Sequence, residues 1–475
     1  MKTRFRISKT LGKLSVNSFF LKISFIFLFW SLFMVCSYTQ DVIATIHFDQ
    51  LSGQTIKPGA FGLNVPQGFN PDVAGNPGKQ KYKEAMSYMA PGLIRYHGWE
   101  QFESSTSPSG WLTSSLDSWD SGKINRAMTG SYSYGPVRMM NIPHWPRAWD
   151  NTDGTLQLSR YADFANFCAS LVKIINIDQR RGVKYWEITN EADGAYDKNC
   201  AELGRIINRA AAAMKQVDPT IKCGGPAFQQ PDLIVRVDSF LKITADHLDF
   251  ISWHSYATGD YDADLQTIWS SGFGQGNFVS SMKTEFAKYS TRTIEYFHDE
   301  FNINWGWSPP DKKMSDYRGM IFDALFIVTA INGGVTGTMA WNESEDAYGK
   351  MDPSFNKRPG AYLYHIFNKK LIGNSICNSN SGDNKKLVVL AAKNDSLLQF
   401  VVINRSGSDQ HYKFSFTGLP PEVHGATLFD DVQCLQEGGL ANKLVSYEQL
   451  TSRYVALFEK NTVSILSIDL RKLKK

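Results

Sequence analysis

Cysteine is scarce. Of six, only Cys168, Cys200, Cys223, Cys377 and Cys434 lie beyond the N-terminal segment. An odd, sparse set does not make a disulfide framework. Cys377 and Cys434 are the pair that could bridge the C-terminal region, and free buried thiols account for the set equally well. No C-x-x-C or His–Cys spacing suggests a metal site. Charge of one sign is also missing. The formal net charge is +4, and six basic residues (Lys2, Arg4, Arg6, Lys9, Lys13 and Lys22) sit at the extreme N-terminus. The remainder is near neutral, so there is no clustered basic face of the kind nucleic-acid binding needs. No G-x-G-x-x-G follows a first strand, which leaves a doubly wound dinucleotide-binding sheet without support. Beyond the N-terminus no apolar run is long enough to span a bilayer, and no short repeat recurs.

The N-terminus itself is biased. No acidic residue precedes Asp41, and the basic stretch leads into ISFIFLFWSLFMV, residues 23–35. Small and polar residues follow, Cys36 to Gln40. This reads as a signal segment, residues 1–40, removed near 37–40. It implies a secreted or periplasmic protein, with an uncleaved membrane-anchored form as the alternative. The full sequence is 43% apolar and 20% charged, the profile of a globular chain.

Strand-like runs then recur every 30 to 50 residues: AFGLNV (60–65), GLIRY (92–96), VRMMNI (137–142), KYWEIT (184–189), IKCGG (221–225), LDFISW (248–253), TIEYFH (293–298) and VTGTMA (335–340). Amphipathic stretches such as CAELGRIINRAAAAMKQV (200–217) lie between them. Eight βα-sized units predict an α/β fold, a (β/α)8 TIM barrel over residues 59–375. PGAYLYHIFNKKLIG (359–373) reads as its closing helix. From Lys385 the texture changes to short alternating strands: KLVVLAA, LLQFVVINR, YKFSFTG, ATLFD and TVSILSIDL. They predict an accessory C-terminal β-sandwich, residues 376–475, completed by an N-terminal strand within 41–58. Of twelve tryptophans, Trp30 is in the signal segment and the other eleven fall between Trp99 and Trp341. A ligand with flat faces would therefore bind the barrel.

Active sites of such barrels form where the strands end. Strand four ends in Asn190-Glu191 and strand seven in His298-Asp299-Glu300. Strand six ends in Trp253-His254-Ser255-Tyr256, strand eight in Trp341-Asn342-Glu343. Strand two carries Arg95, and strand three runs into His144-Trp145. Two glutamates on strands four and seven suit glycoside hydrolysis, which needs one acid at the leaving oxygen and one carboxylate across the anomeric carbon. Arg95 could hold Glu300 ionised, and Tyr256 could donate to it. Asn190 could bind a sugar hydroxyl. His254, Trp341, His144 and Trp145 complete the expected wall. Neither a metal nor an organic cofactor is required.

The chain resembles the retaining glycosidases of clan A, in which the acid/base follows an Asn at the end of strand four and the nucleophile ends strand seven. Asn190-Glu191 and FHDEFN (297–302) match those motifs. GGPA (224–227), DFISWHSY (249–256) and KMDPSFNKRPGAYLYHIFNK (350–369) look most like glycoside hydrolase family 39, the β-xylosidase and α-L-iduronidase group. The resemblance implies Glu191 as acid/base, Glu300 as nucleophile and an oligo- or polysaccharide substrate, with xylose the leading sugar. Family 39 more often continues Asn-Glu-Pro, and here Ala192 follows Glu191.

Plainer roles stand beside these. Asp299, one residue from Glu300, should face the opposite side of an extended strand. Glu295 should point into the sheet or helix layer. Glu187 reads as an internal support, Arg95 alternatively as a structural ion pair, and Trp305 and Trp307 as rim or packing residues. Two further functions stay open: an endo-acting hydrolase of the same clan, and a non-catalytic carbohydrate-binding protein.

Overall fold

The computed structural model describes residues 43–74, 79–98, 110–131, 134–419, 431–436, 439–442, 447–450 and 453–471. The signal segment and the ATLFD run lie outside them. Among the described residues no helix is long and apolar enough to cross a membrane.

The chain opens with β1 (Ile43–Thr55) and then enters a closed barrel of eight parallel strands. These are β2 (Gly62–Asn64), β3 (Leu93–Tyr96), β4 (Val137–Ile142), β5 (Tyr185–Ile188), β6 (Lys222–Phe228), β7 (Phe250–Thr258), β8 (Glu295–Asn304) and β9 (Gly337–Ala340). Each pairs with its successor, and β9 returns to β2. The helix expected over 200–217 forms as Cys200–Val217, burying Leu203, Ile206, Ile207, Ala210 and Met214. The closing helix, Pro359–Leu371, starts on a proline, whose missing N–H costs nothing at that position.

Side chains two apart on a strand share a face, so the barrel interior is layered. Leu93, Met139, Tyr185, Phe250, Phe297 and Met339 make a dry floor. Two residues further along come Arg95, Asn141, Glu187, Ser252 and Asp299, all buried and all polar. Burying each apolar side chain of the floor is worth about 1.5–3 kcal/mol. The polar layer has no such return and must be held by mutual pairing. The strands also approach closely around GGPA. A Cβ on Gly224 would lie 2.3 Å from the Phe250 carbonyl oxygen.

Strands β10 (Ser375–Asn380), β11 (Leu387–Lys393), β12 (Leu397–Asn404), β13 (Gln410–Thr417), β14 (Asp431–Gln436), β15 (Gly439–Asn442), β16 (Tyr447–Leu450), β17 (Arg453–Phe458) and β18 (Thr462–Asp469) form a second sheet with β1. Its order is β15-β14-β18-β12-β11-β10-β1-β13-β17-β16. β1 runs antiparallel to β10 and parallel to β13. Phe400 of β12 meets Phe414 and Phe416 of β13 at 5.6 and 5.8 Å between ring centroids, although three strands separate them in the sheet. The sheet therefore folds over itself into two layers, the expected sandwich. Cys377 and Cys434 stand in β10 and β14, also three strands apart.

Candidate active site

The fourth barrel strand stops at Ile188, and the chain turns sharply to present Thr189, Asn190 and Glu191. Thr189 (φ 71°) and Glu191 (φ 55°) both adopt left-handed backbone. That geometry is unfavourable for a β-branched residue and persists only where the surroundings impose it. Here three backbone bonds do so: Thr189 N–H to Ile142 O at 2.9 Å, Asn190 N–H to Pro143 O at 2.9 Å, and Glu191 N–H to Ala227 O at 3.0 Å. Asp193, fully buried, then pairs with Arg236 at 3.0 Å and pins the turn after it.

The seventh strand reaches the site differently. Trp253 pairs with His298 and the next residue, His254, with Glu300. On the other side Thr338 pairs with His298 and Ala340 with Phe301. Both neighbours thus skip a residue, which is a β-bulge in β8. The expectation that Asp299 faces away from Glu300 is therefore corrected: the extra residue turns both inward, while Phe301 stacks outward on Phe326 at 4.0 Å. Glu295 is corrected too. It lies at the far end of the strand, bound to Lys222 at 2.7 Å and accepting from Tyr185 Oη at 3.2 Å.

Arg95 organises the polar layer. Its Nη2 donates to Asn190 Oδ1 at 2.7 Å and lies 2.7 Å from Glu187 Oε2. Nη1 donates to Asn64 Oδ1 at 2.8 Å and to Glu300 Oε2 at 3.5 Å. Tyr256 Oη donates to the other oxygen of Glu300 at 2.5 Å. His254 Nδ1 is 2.7 Å from Glu191 Oε1, and its Nε2 is 3.8 Å from Glu300 Oε2. Burial raises the Glu191 carboxyl, but the hydrogen bond and charge of His254 outweigh it and hold the group below its usual range. Burial lowers the His254 imidazole, and the charges of Glu300 and Glu191 more than reverse that. The two form a proton-sharing pair.

Glu191, His254 and Glu300 each offer an atom within 4.8 Å of the others. Three such groups could in principle face one cation. However, donors held at about 2.0–2.1 Å around a tetrahedral ion stand roughly 3.3 Å apart, and the 2.7 Å between His254 and Glu191 is instead that of a hydrogen bond.

A cavity of about 910 Å³ opens above these groups. It is lined by Asn190, Glu191, His254, Tyr256, Glu300 and Trp341 of the expected set. Arg95 lies beneath it, completely buried. His144 and Trp145 do not reach it. Trp145 donates to Asp150 at 2.5 Å and packs edge-on against Phe164, so the loop after the third barrel strand closes on itself. Trp305 and Trp307, 61% and 70% exposed, do line the cavity. Trp305 lies flat against Gly259, where a Cβ would sit 2.1 Å from its ring. Sequence reasoning missed Gln229, Gln230, Asp232, Gln275 and Tyr348 on the wall. Continuing the fifth strand through GGPAF to Phe228 would have put Gln229 at the mouth.

Glu343 ends the eighth strand fully buried. It accepts from Gln67 N–H (2.7 Å), Gly68 N–H (3.2 Å), Tyr82 Oη (3.3 Å) and Ser344 N–H (3.2 Å). Burial pushes its carboxyl up to about 8 despite those donors. A folded value above the unfolded one gives stability that is present below about pH 4.5 and lost as pH rises through 8. At about 1.4 kcal/mol per unit the change is roughly 3–5 kcal/mol. Glu343→Gln should therefore flatten the fall in unfolding free energy between pH 5 and 8, measured by urea titration. An unaltered slope would show that Glu343 is already ionised.

In fold the chain is similar to known glycoside hydrolases. A family model, Glycosyl hydrolases family 39, matches residues 177–363, a span that contains both Glu191 and Glu300. An intracellular exo-α-(1→5)-L-arabinofuranosidase of Bacillus subtilis is 31% identical over 151 residues, 30% of each chain. A β-xylosidase of Caldicellulosiruptor saccharolyticus is 28% identical over 148 residues, 31% of this chain and 29% of that one. The matched segments thus span less than a third of these relatives. Among solved structures, a family 39 β-xylosidase from Caulobacter crescentus superposes with TM-score 0.61 at 15% identity, over 90% of this chain and 99% of that one. A family 51 α-L-arabinofuranosidase from Bifidobacterium longum gives 0.67 at 14%, with the same coverage. At such identities the superpositions show the fold. The resemblance read from the motifs is borne out: the family model, the named glycosidases and the solved folds all lie among the glycoside hydrolases.

Proposed function

We propose that the chain is a retaining, exo-acting glycoside hydrolase that removes a terminal pentosyl residue, xylosyl or arabinofuranosyl, from an oligo- or polysaccharide. The observation that carries the mechanism is the approach of Glu191 and Glu300 oxygens to within 4.8 Å. Direct attack by the second carboxylate needs the two groups roughly 5–5.5 Å apart, whereas admitting a water between them needs 6.5–9.5 Å. Glu300 attacks the anomeric carbon as the bond to the leaving oxygen breaks, and Glu191 gives that oxygen its proton. A water then loses a proton to Glu191 and attacks the same carbon, releasing Glu300 as a carboxylate. Arg95 and Tyr256 face the two oxygens of Glu300 and support it as the anion.

The pentose rests on the relatives, which are named for arabinofuranose and xylose. The cavity is larger than one pentose ring fills, and its two exposed tryptophans suit the apolar faces of further sugars in the leaving portion. Export from the cytoplasm belongs to the same proposal and rests on the basic and apolar character of residues 1–40. The Bacillus subtilis relative is itself named intracellular.

The test is proton NMR of the first-formed sugar during hydrolysis of nitrophenyl pentosides and of pentose oligosaccharides. Retained configuration is expected, with oligosaccharides blocked at the non-reducing end left intact. Inversion would overturn the assignment of Glu300, and cutting of blocked chains would establish the endo-acting alternative. Binding without turnover across both pentose series would favour the carbohydrate-binding protein.

A further inference from the structure

The bulge in β8 buries a carboxyl that the double displacement does not use. Asp299 and Glu187 are both fully buried and both crowd one guanidinium nitrogen: Arg95 Nε lies 2.8 Å from Glu187 Oε2 and 3.2 Å from Asp299 Oδ2. Two carboxylates so placed repel one another, which favours a proton on one of them. Four charged or titratable side chains face Asp299: Arg95 from β3, Glu187 from β5, His254 from β7 and Glu300 from β8.

The oxygens are not equally supplied. Glu187 Oε2 accepts from Arg95 Nε at 2.8 Å and from Asn141 Nδ2 at 2.9 Å. Glu187 Oε1 and both side-chain oxygens of Asp299 are buried and receive no hydrogen bond from a nitrogen or hydroxyl donor. Asp299 Oδ2 has only charge contacts, 3.2 Å from Arg95 Nε and 3.8 Å from His254 Nε2. The carboxyl that collects donors is the one that ionises, and the one without them keeps the proton.

We propose that Asp299 stands as a neutral carboxylic acid in the resting protein, donates its hydrogen to Glu187, and acts as a positioning residue beneath the nucleophile. Burial and the Glu187 charge both push the Asp299 carboxyl well above its ordinary range, against the pull of Arg95. For Glu187 the same burial is outweighed by Arg95, which leaves it near 2. The consequence for the reaction lies in the charge count. The Glu191–His254 pair with its one shared proton is neutral overall, so Arg95 alone faces two anions, Glu187 and Glu300. An ionised Asp299 would add a third anion next to Glu300, resist its ionisation and compete for Arg95.

The proton can be sought without any activity, and only its role rests on the reading of Glu300 as nucleophile. Infrared difference spectra of the full chain, wild type minus Asp299→Asn at pH 7, should show a carboxylic-acid C=O stretch that shifts in D2O. Glu343 is common to both proteins and cancels. Carboxylate bands in place of the acid band overturn the proposal. Should Asp299→Asn not accumulate, Glu187→Gln replaces it: removing the charged acceptor should shift the same band, and an unshifted spectrum overturns the pairing.

The role is read from the acidic limb of kcat/KM. Asparagine replaces one neutral group by another, so the limb should stay in place, and Asp299→Asn should recover most of what Asp299→Ala loses. If Asp299 were ionised, its removal would let Glu300 ionise more readily and move the limb down by about one pH unit or more. A wild type inactive on every pentoside would sink the proposed function while the infrared result still decided the proton.

Discussion

Glu300→Ala is expected to lower kcat on the order of 10⁵-fold or more, the scale on which loss of a covalent nucleophile acts. Without Glu300 no glycosyl-enzyme forms, and the cavity left beside Arg95 and Tyr256 admits a small anion from the face the carboxylate occupied. Added azide should therefore restore turnover of an activated aryl pentoside and yield the glycosyl azide of inverted configuration. A 2-fluoro pentoside with a good leaving group should label the wild type at one residue. Digestion and mass spectrometry should find it on the peptide holding Glu300. A label on Asp299, or a residual rate above about one hundredth of wild type, would sink the assignment. Asp299 is the informative competitor, since the bulge turns both carboxyls inward.

Glu191→Ala should separate the two steps. A positioned general acid is worth about 10²–10⁴-fold, and its loss should appear in full only where the leaving oxygen needs a proton. Pentose oligosaccharides should lose that factor, while dinitrophenyl pentosides should react at near wild-type rate in the first step and then stall as the covalent intermediate. Azide should discharge that intermediate with retained configuration, the opposite of its effect on Glu300→Ala. The pH profile should change as well. His254 is raised partly by its bond to Glu191, so in the variant its titration should move down, and the alkaline limb for the oligosaccharide should flatten. Equal losses on both substrate types would assign Glu191 to binding.

Much of this site was legible because barrel strands are short apolar runs whose last residues stand at the mouth. YWEI followed by Thr-Asn-Glu located Glu191, and Trp253-His254-Ser255-Tyr256 located its partner His254 and the Glu300 partner Tyr256. The polar layer was half visible: Glu187 read as an internal support because it precedes Thr189 by two residues. The bulge was not visible. Nothing in His298-Asp299-Glu300, with no glycine to mark it, announces an extra residue, so strict alternation sent Asp299 to the wrong face. Trp145 was misread for a related reason. A residue beyond a strand end follows its loop, and this loop turns it to Asp150. The far wall comes from Gln229 to Asp232, a connecting segment with no period to read, and from Gln275 inside the helix Leu265–Phe286.

The strand that opens the described chain has a consequence for synthesis. Ile43–Thr55 finds one of its two neighbours in Gln410–Thr417, and His47 meets Thr417 across 370 residues. At roughly 5–20 residues per second, that neighbour emerges about 20–75 s after β1. Until its neighbours Ser375–Asn380 and Gln410–Thr417 have been made, the alternate buried positions Ala44, Ile46 and Phe48 lack the sheet they pack within. The whole barrel is in effect an insertion between two strands of one sheet. The barrel can form as the ribosome delivers it, but the sandwich closes only after nearly the entire chain has been made. Newly made protein therefore carries an open β-edge at its beginning for most of its synthesis, and it is this edge, far from the sugar site, that has to be kept from pairing with another chain.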